Sequence, residues 1–356
     1  MNEYVIDIGV EVEDGYINND IEWTAKIIDA AHKHKTVVIK IFEPVAIEEL
    51  NYKGKKFLGI LGDICKENNW DKNKFRFETQ NLIQDKSVWP GTTVPYYNNV
   101  FLAGQEQPVQ DLTKELTKTF GMLVNRSTWD RLLIASNLYN EHKEISFQKY
   151  CNNLDNPMHM INFDFDRMLW QSSSAGILNE TLLKKVFNFM CNLPMGQHVY
   201  EILKGDQSKI VEHATSESVT SFYKNFFVDI VSEKMITGKV LYFTEKSARP
   251  LMTMNPFITN ASVGHLDGLR RLGFKTFSKY WSEDYDYQSG VPRINLIQEL
   301  CAKLSKLSRK EIEQMYDDMK PILEHNRLHY YTLSTDKIQH TLEHVKRVSY
   351  KPRNTK

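Results

Sequence analysis

The 356-residue chain is poor in cysteine. Its four thiols, Cys65, Cys151, Cys191 and Cys301, lie far apart with no C-x-x-C pair. That argues against a zinc site or disulfide framework and for buried free thiols in a reducing compartment. No apolar run approaches the roughly 20 residues of a membrane span. The start, Met1 to Gly15, is acidic and strand-like and lacks the basic, then apolar, pattern of a secretory signal. A cytoplasmic protein with no membrane partner is therefore expected. There is no excess of charge of either sign: 45 Lys and Arg face 45 Asp and Glu. That balance argues against general electrostatic attraction to nucleic acid or anionic lipid, but leaves room for a local basic patch. Several motifs are missing as well: G-x-G-x-x-G after a strand, G-x-x-x-x-G-K-[ST], H-E-x-x-H and G-x-S-x-G. Dehydrogenase, P-loop NTPase, zinc protease and α/β-hydrolase readings lose their usual support. Internal repeats and low-complexity segments are absent too.

What is present is an apolar fraction of 41%, enough for a sizeable core, and 12% aromatics that fit a packed fold and could offer stacking surfaces. Tyr4–Ile8 reads as a strand. Asn19 and Glu22 have capping-box spacing before a helical period over Ile21–His32. Thr36–Phe42 is a buried-strand run, Lys55–Asn68 a helix and Phe75–Glu78 a strand. This alternation predicts an α/β fold with a parallel, doubly wound sheet. From Thr79 to Pro108 the pattern dissolves among prolines and glycines; the segment is either a functional loop or an irregular excursion with a small hairpin. Order resumes with strand Lys118–Val124. Ser127 and Asp130 then have capping-box spacing before helix Trp129–Tyr139. Residues 150–180 read as polar and irregular, and Leu182–Cys191 as a helix. A second αβ region begins near Tyr223, with strand Phe226–Val231, a helix starting at Thr244, strand Pro256–Thr259 and helix His265–Leu272 closed by Gly273. Ser308 and Glu311 cap helix Ile312–His325, and a last helix spans about Thr335–Arg347.

The most informative stretch is Phe226 to Asp286. A strand end delivers Glu233. A loop then delivers Glu245 and Lys246 to a helix start. In open α/β sheets ligands bind beyond the carboxyl ends of the strands, and a helix N-terminus there offers N–H groups and partial positive charge to phosphate. Lys246 adds a full charge, and Glu245 could accept hydrogen bonds from two ribose hydroxyls. Together they suit a nucleoside diphosphate. The competing reading is a solvated Glu–Lys pair at a helix start. Arg126 and Arg131 flank the start of the middle helix and suit bidentate phosphate contact, or are surface arginines of a capped helix. Arg249 and Lys275 have weaker support, and His265 faces a phosphate or is a capped helix residue. Glu283, Asp284 and Asp286 form a metal candidate or a solvated acidic loop. Trp281 and Tyr285 read as packing residues. No catalytic residue is singled out. Asp7, Glu11, Glu13 and Asp14, after the first strand, are candidates for a general base.

The run Phe243-Thr244-Glu245-Lys246, Pro250-Leu251, Pro256-Phe257-Ile258, Gly264-His265-Leu266, Leu272-Gly273-Phe274-Lys275-Thr276-Phe277 and Glu283-Asp284-Tyr285-Asp286 resembles the donor-binding half of a group of glycosyltransferase-like proteins of bacteriophages and marine bacteria. The Thr-Glu-Lys element is also similar to donor sites of fucosyltransferases and other two-domain GT-B enzymes. The close match spans about 60 residues, and the Asn125-Arg126 and Arg131 region is less specifically similar.

The resemblance implies two Rossmann-like domains facing a cleft (GT-B-like). Residues 1–195 would take the acceptor and residues 196–330 the nucleotide-sugar donor. Residues 331–356 would form a C-terminal helix and basic tail, the helix crossing back to the first domain. It further implies that Glu245 meets the ribose, Lys246 the diphosphate, and that Thr244 caps the helix facing them. The donor would be UDP- or GDP-linked, with no metal needed for binding it. The acceptor would be a hydroxyl of a glycan, a protein or a hydroxymethylated DNA base, in the host cytoplasm if the chain is viral. A non-catalytic nucleotide- or glycan-binding viral interaction protein is the alternative.

Overall fold

Near-continuous apolar runs such as Val37-Val38-Ile39 and Phe226-Phe227-Val228 are what a strand buried on both faces of a parallel sheet requires. Both become such strands in the computed structural model. It describes residues 3–8, 12–13, 16–17, 19–41, 46–79, 81, 89, 92–93, 101–106, 108–124, 127–150, 161–193, 195, 215–234, 236 and 240–343. The chain divides into two compact units. The first comprises residues 1–99, 237–242 and 334–356, the second 100–236 and 243–333.

The first unit contains β1 (Glu3–Asp7), β2 (Val12–Glu13), β3 (Tyr16–Ile17), α1 (Trp23–Lys33), β4 (Thr36–Ile41), β5 (Asn51–Tyr52), β6 (Lys55–Lys56), α2 (Phe57–Glu67), β7 (Phe75–Thr79) and β8 (Thr92–Thr93). One sheet has the order β1-β4-β7-β8 and is parallel throughout. A smaller one has the order β2-β3-β5-β6. The expected capping box before α1 does not form. Glu22 is the N-cap residue without a side-chain bond, and Asn19 Oδ1 instead accepts the Lys53 N–H at 2.7 Å. β8 joins β7 in parallel, so it is no arm of a local hairpin. Trp89 is buried, and its indole N–H donates to the Phe75 carbonyl at 2.9 Å.

The second unit contains β9 (Lys118–Val124), α3 (Trp129–His142), β10 (Ser146–Tyr150), α4 (Ile161–Ser174), α5 (Glu180–Met190), α6 (Glu217–Thr220), β11 (Phe226–Ser232), α7 (Glu245–Thr253), β12 (Phe257–Asn260), α8 (His265–Arg271), α9 (Gly290–Leu304) and α10 (Arg309–Thr332). Its sheet runs β10-β9-β11-β12, all parallel. The chain winds from β9 to β10 on one side and from β11 to β12 on the other. The strand order therefore reverses between β9 and β11, a topological switch point. The sheet of the first unit, in simple succession, has none among the described residues.

Three expectations change. The division does not fall near 195: β9 and β10, assigned in advance to an N-terminal domain, share a sheet with β11 and β12. Residues 150–180 are not irregular throughout, since α4 lies there; its exposed Trp170 blurs the helical apolar period. The Ser127–Asp130 box is absent. Thr128 is the N-cap residue of α3, Ser127 Oγ bonds the Tyr150 hydroxyl at 2.8 Å, and Asp130 accepts from Asn260 Nδ2 at 2.6 Å. The Ser308–Glu311 box does form. The last helix, α11 (Thr335–Glu343), belongs to the first unit; the rest of the expected span to about Arg347 lies outside the described residues. Cys65 and Cys301 are buried free thiols, but Cys191 is exposed; Cys151 lies outside the described residues. No helix among the described residues is long and apolar enough to cross a membrane.

β9 meets β11 at Gly121, opposite Asp229. A Cβ on Gly121 would lie 2.4 Å from the Phe226 ring. Gly121→Ala is expected to destabilise the protein by about 1–3 kcal/mol through overpacking, read as a lower urea midpoint.

Candidate functional site

The carboxyl edge of the second sheet gathers most of the residues singled out from the sequence. Glu233 follows β11 and is 2% exposed. Burying a carboxylate is costly unless its oxygens are satisfied, and here three donors converge on them. The Thr244 N–H donates to Oε1 at 3.1 Å, the Thr244 hydroxyl to Oε2 at 2.6 Å and the Ser247 hydroxyl to Oε1 at 2.6 Å. Thr244 is the N-cap residue of α7, its hydroxyl oxygen accepting the Lys246 N–H at 3.2 Å. The strand end thus fixes where the helix begins.

Arg131 ties in the other side of the switch point. It projects from the first turn of α3, just after β9, and is buried. Its Nη2 donates to the carbonyls of Ser232 and Glu233, both at 3.0 Å. It holds the end of β11 rather than lying on the surface. Arg126 lies outside the described residues.

His265 starts α8 as expected, but its ring is fully buried. Nε2 is 3.0 Å from Ser247 Oγ. The Ser247 proton already goes to Glu233, so the histidine must be the donor, with its proton on Nε2. Nδ1 is then bare and has no partner. A second proton would create an unpaired buried N–H. Burial, with Arg293 adding repulsion, accordingly lowers the imidazole to about 3. His265 is neutral and brings no positive charge to a phosphate. In a nucleophilic triad the histidine lies between acid and serine; here Ser247 lies between Glu233 and His265, and all three are buried. The arrangement braces the loop rather than activating a nucleophile.

Glu245 and Lys246 remain nearest to solvent, with side chains 14% and 25% exposed. Lys246 Nζ is 2.5 Å from Glu245 Oε1, and Arg249 Nη2 is 3.8 Å from it. Burial alone would raise the Glu245 carboxyl, but these two cations outweigh it and hold it at about 2. Beyond Arg249 lies Asp229, which accepts from the Tyr223 hydroxyl at 2.9 Å and which burial raises to about 7 against the pull of Tyr223 and Arg249. Arg249, a weak phosphate candidate from sequence, is thus buried between acids of one charge network.

The acidic run does not converge. Glu283 Oε2 accepts from Arg270 and Thr276, and Oε1 from the Phe277 N–H. Asp286 takes N–H groups of Leu266 and Asp267 and lies 3.6 Å from Arg293. No cluster of His, Cys, Asp and Glu that could hold a metal occurs among the described residues. Trp281 and Tyr285 are buried packing residues. Lys275 is exposed, and its backbone is held by Asn326. Asp7 is exposed at the end of β1 in the first unit; Glu11 and Asp14 lie outside the described residues, as does the side chain of Glu13. Ser247 went unnoticed in the sequence, although its place three residues after Thr244 sets it on the same side of the helix start. Asp229 carried a clearer signal, a lone charge inside an apolar run.

Comparison of the chain with protein-family models, with curated proteins and with solved structures finds no match. The geometry of the second sheet therefore has to carry the functional argument alone.

A neutral buried histidine has a stability signature. Its folded value lies below its ordinary 6.5, so the unfolded chain binds the proton first. The associated stability is fully present above pH 6.5 and is lost as pH falls towards about 3. His265→Gln should flatten the dependence of the urea midpoint on pH in that window relative to wild type, wherever both remain folded.

Proposed function

We propose that the chain is a nucleotide-sugar-dependent glycosyltransferase, with the donor bound at the start of α7 and the two units acting as donor-side and acceptor-side domains of a GT-B-type enzyme. One observation carries this reading. A part-exposed cation, Lys246, stands beside a ribose-capable carboxylate, Glu245, on a helix start beyond the carboxyl edge of a parallel sheet, next to its switch point, where such sheets take ligands. The return of residues 334–356 to the first unit supports the two-domain part.

In this reading the incoming diphosphate takes Lys246 from Glu245. The freed carboxylate, still faced by Arg249 at 3.8 Å, accepts the ribose hydroxyls. The acceptor hydroxyl attacks the anomeric carbon and yields its proton to water or to an acceptor-side carboxylate, the bond to the diphosphate breaks, and Lys246 neutralises the charge that develops on the leaving group. Glu233, Thr244, Ser247, His265 and Arg131 act as positioning residues that fix the helix start. The acceptor is a glycan, protein or modified DNA hydroxyl; a base in duplex DNA would have to be turned out of the stack.

A specific feature favours the alternative, a non-catalytic nucleotide- or glycan-binding protein: both cations near the helix start already face Glu245. Purified protein incubated with UDP- and GDP-sugars separates the two. Release of free nucleotide is expected with one donor, falling at least about tenfold, or 1.4 kcal/mol, in Lys246→Ala and Glu245→Ala. A thermal shift with nucleotide but no turnover would favour the binding protein, and neither response would refute the site.

A further inference from the structure

The opposite edge of the second sheet carries an amine that donor binding does not use. Residues 108–117 lead into β9 and residues 217–225 into β11. Because these strands are parallel, both approaches lie at the amino edge, away from Thr244 and Lys246. With Thr253 at the end of α7 they enclose a cavity of about 360 Å³, within the range of small-molecule sites. Lys114 lines it. Its Nζ donates to Asn255 Oδ1 at 2.5 Å and to the Tyr223 carbonyl at 3.1 Å.

The orientation of Asn255 is fixed. Its Nδ2 donates to the carbonyls of Tyr223 at 3.0 Å and Phe226 at 2.8 Å, so only its oxygen faces the amine. Two non-glycine residues in the left-handed region hold this corner: Met254, φ 58°, directly before Asn255, and Leu116, φ 44°, two residues after Lys114. Such conformations cost roughly 1–3 kcal/mol each and persist where the surroundings impose them.

A neutral primary amine has two hydrogens and one lone pair. The two acceptors take both hydrogens, leaving the third position for the lone pair. An ammonium would carry a third N–H with only the cavity to meet it, and Lys114 forms no ion pair among the described residues. The charged groups around it divide. Asp111 and Glu115 are on its own loop. Glu217 and Lys224 approach from the segment before β11, with Lys224 paired to Glu115 at 3.0 Å. On its other side a second cavity is lined by Arg309, Glu313, Asp317, Lys320 and Glu324 of α10. Burial nevertheless dominates, lowering the amine to about 7 against the opposing pull of Asp111.

We propose that Lys114 is a nucleophilic amine and that the cavity beside it captures a small aldehyde or ketone as an imine. The nitrogen lone pair adds to the carbonyl carbon while the C=O pair moves to oxygen. A proton passes from nitrogen to that oxygen. The resulting carbinolamine loses water to leave C=N. Asp111 and Glu217 on the cavity wall are the groups available to relay these protons. The step needs no oxidant or reductant, and it shares no residue with the donor site, so either proposal can fail alone.

The test uses the full chain with propionaldehyde and cyanoborohydride, which reduces any imine to a stable adduct, followed by peptide mass spectrometry across a pH series. Lys114 should be alkylated at least about tenfold faster at neutral pH than exposed Lys303 and Lys310, with a midpoint near 7 rather than the ordinary 10.5. Lys114→Arg should remove that adduct and leave the other lysines unchanged. An aldehyde too bulky for the cavity should label Lys114 no faster than Lys310. Labelling of Lys114 at the rate or midpoint of surface lysines would overturn the proposal, as would equal preference for the bulky aldehyde.

Discussion

The second unit depends on one buried carboxylate. Glu233 ends β11 where the backbone leaves the sheet, and it receives the N–H and hydroxyl of Thr244 and the hydroxyl of Ser247. Removing such donors would strand a charge in the interior, at a cost of several kcal/mol. The same bonds fix the position of the Thr244 cap, and the cap fixes the first turn of α7. Ser247 passes the constraint to His265 and so to the start of α8. Arg131 passes it across the switch point to α3. One acid therefore sets the relative positions of a strand end and three helix starts.

This division of labour separates residues that hold the site from residues that could meet a ligand. Glu233, Thr244, Ser247, Arg131 and His265 are buried and satisfied by protein partners, apart from one histidine nitrogen. Glu245 and Lys246 extend to the rim, where exchange of partners is open to them. The pair is pre-formed, with the carboxylate charged and the ammonium already desolvated in part. On the proposed reading, a ligand that substitutes for one partner would meet an organised site and little reorganisation.

Charge also threads the interior of this unit. Glu245, Arg249, Asp229 and Tyr223 form a chain from the carboxyl edge inward. The Tyr223 carbonyl accepts from Lys114 and Asn255 at the amino edge. An acid in β11 is tolerated because Arg249 and the Tyr223 hydroxyl answer Asp229. The apolar pattern on either side made the strand readable in spite of that acid.

Local order was legible where one short-range rule sufficed. Lys118–Val124, Phe226–Ser232, the Thr244 cap, the Gly273 closure and the Ser308–Glu311 box all follow from apolar runs, capping chemistry or the left-handed freedom of glycine (φ 98° at Gly273). The Asn19–Glu22 and Ser127–Asp130 boxes had the same spacing and failed, because Lys53, Tyr150 and Asn260 compete for those side chains from far along the chain. The edge strand β10 is only part-buried over three of its five residues, and α4 carries the exposed Trp170, so neither shows a clear apolar period. By itself, then, the sequence determined the α/β class and the composition of the Thr244–Lys246 turn, since both are encoded within a few residues. Only the tertiary structure decided that β9 and β10 pair with β11 and β12, that His265 is buried and neutral, and that Lys114 borders a cavity. Strand order and desolvation depend on which distant segments meet, and no local spacing records that.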